Sequence, residues 1–89
     1  MDNEKFIDLC KEEVMKYANE HLDKTDKKEI TIDNVFVVWS CKTLQNNKAL
    51  LSTNISDGMY YECTYNGDKN ELYFDAYKKW ENRRIKLGG

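Results

Sequence analysis

Few side chains in this sequence could carry covalent or metal chemistry. One histidine, His21, and three scattered cysteines, Cys10, Cys41 and Cys63, are its soft ligands and its candidate nucleophile–base set. Neither a CxxC nor an HxxxH spacing occurs, so the donor pattern of a structural zinc site is missing. Cys10 and His21 fall on one helical stripe but are separated by eleven positions, about 16 Å along a helix axis. A Cys–His pair formed across a sheet would be a thiol nucleophile with its base. Cysteines set among apolar neighbours hold their protons and stay inert, so the cysteines read as buried thiols and His21 as a histidine bonded inside the core. The carboxylates Glu62, Asp68, Glu71 and Asp75 could pair for acid–base work, but their neighbours place them at strand edges and turns. Asn66-Gly67-Asp68-Lys69 matches no phosphate-binding loop and fits a hairpin turn. The residues thus point to no catalytic group, no metal, no cofactor and no small-molecule substrate. An enzyme built on Cys and His remains the second alternative.

The elements that would position these groups are organised around Val35-Phe36-Val37-Val38-Trp39-Ser40-Cys41, a β-branched and aromatic run without charge, Gly or Pro. It reads as a strand with apolar neighbours on both faces. Ahead of it, Asp2–Leu22 has the periodicity of an amphipathic helix, with Phe6, Ile7, Cys10, Val14, Tyr17, Ala18 and His21 on its apolar side. Asp2 or Asn3 can cap it, and Glu12–Lys16 and Glu20–Lys24 are spaced as helical ion pairs. A polar loop, Asp23–Lys28, follows. Ile30 and Ile32 then lead to a turn at Asp33-Asn34.

Three further strands are expected at Ala49–Ile55, Met59–Tyr65 and from Glu71 to about Phe74. A five-residue loop, Leu44–Lys48, pairs Cys41 with Leu51 and Trp39 with Thr53. Ser56-Asp57-Gly58, with Gly58 in the left-handed region, pairs Ile55 with Met59, Thr53 with Tyr61 and Leu51 with Cys63. A two-residue turn at Asn66-Gly67 pairs Tyr61 with Leu72 and Met59 with Phe74. In this register Cys41 and Cys63 flank Leu51 about 10 Å apart, too far for a disulfide. Odd-numbered residues of the first three strands, Trp39 and Cys41 included, then face inward. Asp75 can cap a second helix from Ala76 to about Leu87, with Ala76, Tyr77, Trp80, Arg84 and Leu87 inside and Lys78, Lys79, Arg83 and Lys86 outside. The expected fold is a single α+β domain over residues 1–89, ordered α-β-β-β-β-α, with a four-stranded antiparallel meander and both helices on one face.

Eighty-nine residues, 34% charged and 40% hydrophobic, describe an ordinary globular chain. Net charge is −2, divided as −4 over residues 1–33, −2 over 34–77 and +4 over 78–89. No apolar run approaches the roughly 20 residues of a membrane span, and the acidic start carries no signal-peptide core, so a cytoplasmic protein without a membrane partner is expected. On the outer sheet face, Phe36, Val38, Leu50, Tyr60 and Tyr73 form an apolar patch rimmed by Ser40, Lys42, Ser52, Asn54, Glu62 and Thr64, which nothing in the chain covers. Such a patch marks an interface with a protein partner or a second copy. The alternative is nucleic-acid binding, with Lys78, Lys79, Arg83 and Lys86 as the basic patch on phosphates. Glu62 on the aromatic face and an isoelectric point near 5.4 weigh against it.

The stretches Val38-Trp39-Ser40-Cys41-Lys42-Thr43-Leu44-Gln45-Asn46 and Lys48-Ala49-Leu50-Leu51-Ser52-Thr53 can be joined with Asp57-Gly58-Met59-Tyr60-Tyr61-Glu62. With Thr64-Tyr65-Asn66-Gly67-Asp68-Lys69, Asp75-Ala76-Tyr77-Lys78-Lys79 and His21-Leu22-Asp23-Lys24, they resemble a family of short phage and prophage proteins of Gram-positive bacteria, a domain of unknown function. The resemblance spans nearly the whole chain. It implies a bacterial cytoplasm during phage carriage or infection and transfers no site residues.

Overall fold

The computed structural model describes residues 1–21, 29–55 and 57–88. Asp2 caps the helix α1 (Asn3–His21): its Oδ1 accepts from the Lys5 amide at 2.8 Å and its carbonyl from Phe6 at 3.1 Å, satisfying amides that have no partner inside the helix. The expected pair Glu12–Lys16 is replaced by Glu13–Lys16 at 3.6 Å. Lys24 and the expected loop at 23–28 lie outside the described residues. Beyond them, Asn19 fastens the chain back to the helix: its Nδ2 donates to the Ile30 carbonyl at 3.0 Å and its Oδ1 accepts from the Ile30 amide at 2.7 Å. The expected turn before the first strand is a 3-10 turn, Ile32–Asn34, closed by Thr31 and Asn34.

Strands β1 (Val35–Thr43), β2 (Asn46–Thr53), β3 (Met59–Asn66) and β4 (Glu71–Lys78) form an antiparallel sheet in the order β1-β2-β3-β4. Helix α1 lies across β2 and β1 and touches β3. Its Phe6, Cys10, Val14 and Ala18 are buried against Val35, Ala49, Leu51, Tyr61 and Cys63. Spacing of four along a helix keeps these side chains on one slowly drifting stripe. Tyr17 closes one end, its ring centroid 5.6 Å from that of Tyr61 and 5.6 Å from that of Phe74.

All three hairpins pair differently from expectation. Leu51 faces Tyr61 and Ala49 faces Cys63, so β2 and β3 are displaced by two residues. Gly58 does adopt the expected left-handed conformation, with φ of +72°, while Ser56 lies outside the described residues. Between β3 and β4 the turn is not Asn66-Gly67 but Gly67–Asn70, and Tyr61 pairs with Ala76. Asn66 organises that turn, its Oδ1 accepting the amides of Asp68 and Lys69. Both displacements are even, so the residues expected as strand in 49–55, 59–65 and 71–74 keep the face they were assigned.

The first hairpin breaks that rule. Leu44-Gln45 makes a two-residue turn with Leu44 at φ of +55°, a conformation usually left to Gly or Asn. Val37 pairs with Leu51 but Trp39 pairs with Leu50, leaving Val38 as the extra residue of a β-bulge. Beyond the bulge the alternation inverts. Trp39 and Cys41 turn to the outer face, where both are exposed, and Ser40 and Lys42 turn to the helix side, with Lys42 Nζ 3.4 Å from the Met1 carbonyl.

The second helix is absent. Residues 71–78 continue as β4, where Asp75 pairs with Glu62, Tyr77 with Tyr60 and Lys78 with Met59. The backbone of β3 thereby keeps hydrogen-bonding partners to its beginning, which a helix starting at Ala76 would leave open. Residues 79–88 then form an arm with no helix or strand, exposed throughout. The described fold is therefore α+β, one helix on one face of an open four-stranded sheet.

Gly67 packs where no side chain fits: a Cβ there would overlap the backbone carbonyl of Gln45. Gly67→Ala is expected to force the two turns apart and lower stability by about 1–3 kcal/mol, measured as the urea midpoint against wild type.

Candidate functional site

The outer face follows from the pairings. Its first row across the sheet is Phe36, Ser52, Tyr60 and Tyr77; its second is Trp39, Leu50, Glu62 and Asp75; its third is Cys41, Lys48, Thr64 and Tyr73. Helix α1 is committed to the opposite face, so no helix or strand among the described residues covers these rows. Of the patch read from sequence, Phe36, Val38 and Tyr73 are 48%, 45% and 48% exposed, while Leu50 and Tyr60 are half-buried by their neighbours. The pairings put Phe36, Leu50, Tyr60 and Tyr73 on one face, and Val38 is exposed at the bulge between Val37 and Trp39. The structure adds two aromatics that sequence reasoning missed, Trp39 at 43% and Tyr77 at 51% exposed. Trp39 was hidden by the bulge and Tyr77 by the helical reading of its segment. Positions 73 and 77 share one face of a strand and one face of a helix alike, so their spacing alone could not have separated the two readings.

The charges of this face are uneven. Lys48 Nζ lies 3.0 Å from Glu62 Oε1, and that hydrogen bond, with the carboxylate's field, holds the ammonium above its usual range. Tyr73 donates its hydroxyl to Glu71, which raises the phenol. Asp75 stands directly across from Glu62, a like-charge pair that weakens a sheet unless a cation attends it. Among the described residues, no side chain is hydrogen-bonded to or ion-paired with Asp75.

The basic patch expected on a helix is not on one. Lys78 ends β4, and Lys79, Arg83 and Lys86 are strung along the exposed arm with Arg84. Arg83 is paired with Glu81 at 2.7 Å.

The candidate nucleophiles and base are dispersed. Cys10 and Cys63 meet in the core between α1 and β3, and Cys41 lies on the opposite face. The hydrogen bond to Cys63, with burial, pushes the Cys10 thiol far above its usual range, so it stays protonated. His21 does not point into the core. It is exposed at the end of α1, stacked on Tyr17 at 3.9 Å, with Nδ1 2.8 Å from the Tyr17 carbonyl. Its ring borders a cleft of about 280 Å³ shared with Tyr61, Asp57, Met59 and Lys78, which no cysteine lines. Among the described residues, no three His, Cys, Asp or Glu side chains are grouped to hold a metal. None of their helices is long and apolar enough to cross a membrane. One buried polar side chain, Asn47, has no hydrogen-bond partner for either amide atom among them.

These environments predict unequal thiols. Iodoacetamide should modify Cys41 first, with Cys10 and Cys63 reacting more than about 100-fold more slowly because they require opening of the core. Peptide mapping by mass spectrometry after a time course reads this directly.

They also predict alkaline weakening. Burial, then the charge of Asp57 and the neighbouring Tyr17, push the Tyr61 hydroxyl up to about 12 from 10.0. The folded state keeps that proton where the unfolded chain has lost it. The Tyr61 contribution to stability is therefore full below pH 10 and falls by on the order of 2 kcal/mol as pH rises toward 12. Cys10, raised from 9.0, adds a decline in the same direction starting near pH 9. Tyr61→Phe should remove the Tyr61 share of the slope in urea midpoints measured from pH 8 to 12, while leaving the Cys10 share.

Comparison with known proteins adds a family. Neither a curated protein nor a solved structure matches the sequence. A family model described as a family of unknown function (DUF6275) matches residues 7–87, from the first turns of α1 through the exposed arm. The chain belongs to that family of unknown function.

Proposed function

We propose that this chain is a non-catalytic protein-interaction module and that the open sheet face is its contact surface. The observation that carries the reading is the one-sided packing of α1, which leaves Phe36, Trp39, Tyr73 and Tyr77 about half exposed on one continuous face. Aromatic side chains set among a few charges are the composition of interface centres. The resemblance to phage and prophage proteins supports reading that activity as an accessory or host-modulating one in a bacterial cytoplasm. A nucleic-acid platform fits less well. Stacked bases need nearby cations to hold phosphates, whereas this face carries Glu62, Glu71 and Asp75 against Lys48. The cluster Lys79, Arg83, Arg84 and Lys86 lies on the arm, outside the strands that carry the aromatic rows.

A photo-crosslinking residue at Tyr73 should give protein adducts in cells, and the same residue at Glu12, on the exposed side of α1, should not. Equal labelling from both positions, or none from Tyr73, would remove the sheet face as the contact surface.

A further inference from the structure

The arm and the outer face are complementary in chemistry and unsatisfied within one chain. Trp80 is 94% and Leu87 90% exposed, with Ile85 between them at 76%. A tryptophan left fully in water forfeits a burial of about 150–250 Å². The arm carries Lys79, Arg83, Arg84 and Lys86 against Glu81, a net +3 over residues 79–88. The face holds Glu62, Glu71 and Asp75 against Lys48, a net −2, and Asp75, beside Glu62, has no ion pair among the described residues. The projecting arm also enlarges the molecule: the radius of gyration is 15.1 Å, against about 12 Å for a compact chain of this length.

We infer that the arm of one copy docks on the open sheet face of a second copy, which returns its own arm, giving a closed two-fold dimer. This rests on the reading of that face as a protein contact. Three observations select this occupant. Stacking two outer faces directly would set −2 against −2 and leave both arms in water. Folding the arm onto its own face would need a reversal immediately after Lys79, whose amide is held by the Gly58 carbonyl at 2.6 Å. Trp80 and Glu81, the residues that follow it, are not turn formers, and the first such residue on the arm is Asn82. Third, residues 79–88 extended reach about 33 Å, more than the roughly 14 Å between the outer strands of the sheet. Reciprocal exchange uses both arms and both faces and closes the assembly at two copies, where one-way docking would propagate. On docking, Trp80 meets the exposed rings of the face and an arm guanidinium supplies the cation that Asp75 lacks.

Light scattering of the full chain at about 50 μM tests this. A mass twice the 10.6 kDa of one chain is expected. Two charge reversals should each raise the dimer dissociation constant at least about 100-fold: Arg83→Glu with Arg84→Glu on the arm, and Glu62→Lys with Asp75→Lys on the face. Mixing the two variants should restore the dimer as a heterodimer, because each arm then faces the opposite sign. Far-UV circular dichroism confirms that each variant folds. A monomeric wild type, or a dimer whose mixed variants fail to recombine, overturns the arm exchange. A dimer that survives arm reversal but dissociates with Tyr60→Lys overturns it while keeping the sheet face as the contact. A dimer that survives all of these changes overturns it and moves self-association elsewhere. The crosslinking at Tyr73 then decides the face reading separately.

Discussion

A single helix cannot cover both faces of a sheet, and the architecture of this chain follows from how that constraint is met. The stripe of Phe6, Cys10, Val14 and Ala18 on α1 seals Ala49, Leu51, Tyr61 and Cys63 from water. A helix of roughly 10 Å diameter laid over four strands spaced about 4.8 Å apart closes one side only. The aromatic residues divide accordingly. Phe6, Tyr17, Tyr61, Tyr65 and Phe74 pack between helix and sheet, whereas Phe36, Trp39, Tyr60, Tyr73 and Tyr77 line the other side. An outer face occupied by threonines and lysines would be a solvated surface needing no explanation; one occupied by five aromatic rings does need one.

Face assignment was legible in the sequence where register was not. The expected partners of Leu51 and Tyr61 were wrong by two and four residues, because loop lengths depended on contacts that no local pattern announces. Gly67 seats against Gln45, and Asn46 Oδ1 accepts the Gly67 amide at 3.1 Å, so one hairpin turn is shaped by the other. Alternation survived these errors since an even slip preserves which side each residue faces. Only the bulge at Val38 is odd. It sends Trp39 outward and Lys42 inward, and nothing in Val37-Val38-Trp39 marks it beforehand, because all three side chains suit a strand.

The missing second helix has a different physical cause. Ala76, Tyr77, Trp80, Arg84 and Leu87 do recur at helical spacing, but two requirements fail. Pairing along β3 claims Ala76, Tyr77 and Lys78 for the sheet, and the nine residues left of the expected helix, 79–87, are fewer than the roughly 12–15 an isolated helix needs. Nor is a core stripe left for it, since α1 occupies the inner face. Periodicity was a correct description of the side chains and an insufficient condition for the element.

Arm exchange, as proposed, would account for an arrangement that is unfavourable in one copy. Glu62 and Asp75 sit directly across a strand pair with Lys48 on the first of them alone, and like charges so placed weaken the pairing by a fraction of a kcal/mol. An apolar exchange at Asp75 would relieve that repulsion and leave the Lys48–Glu62 pair intact. Keeping both acids among exposed rings makes the surface selective. A neutral hydrophobic segment would have to desolvate a carboxylate without compensation, and an acidic segment or a phosphate backbone would meet repulsion. A ligand for this face therefore has to bring rings or aliphatic groups together with positive charge. Residues 79–88 are the stretch of the same chain that combines Trp80, Ile85 and Leu87 with Lys79, Arg83, Arg84 and Lys86. Whichever chain supplies it, that composition is what the geometry of the sheet admits.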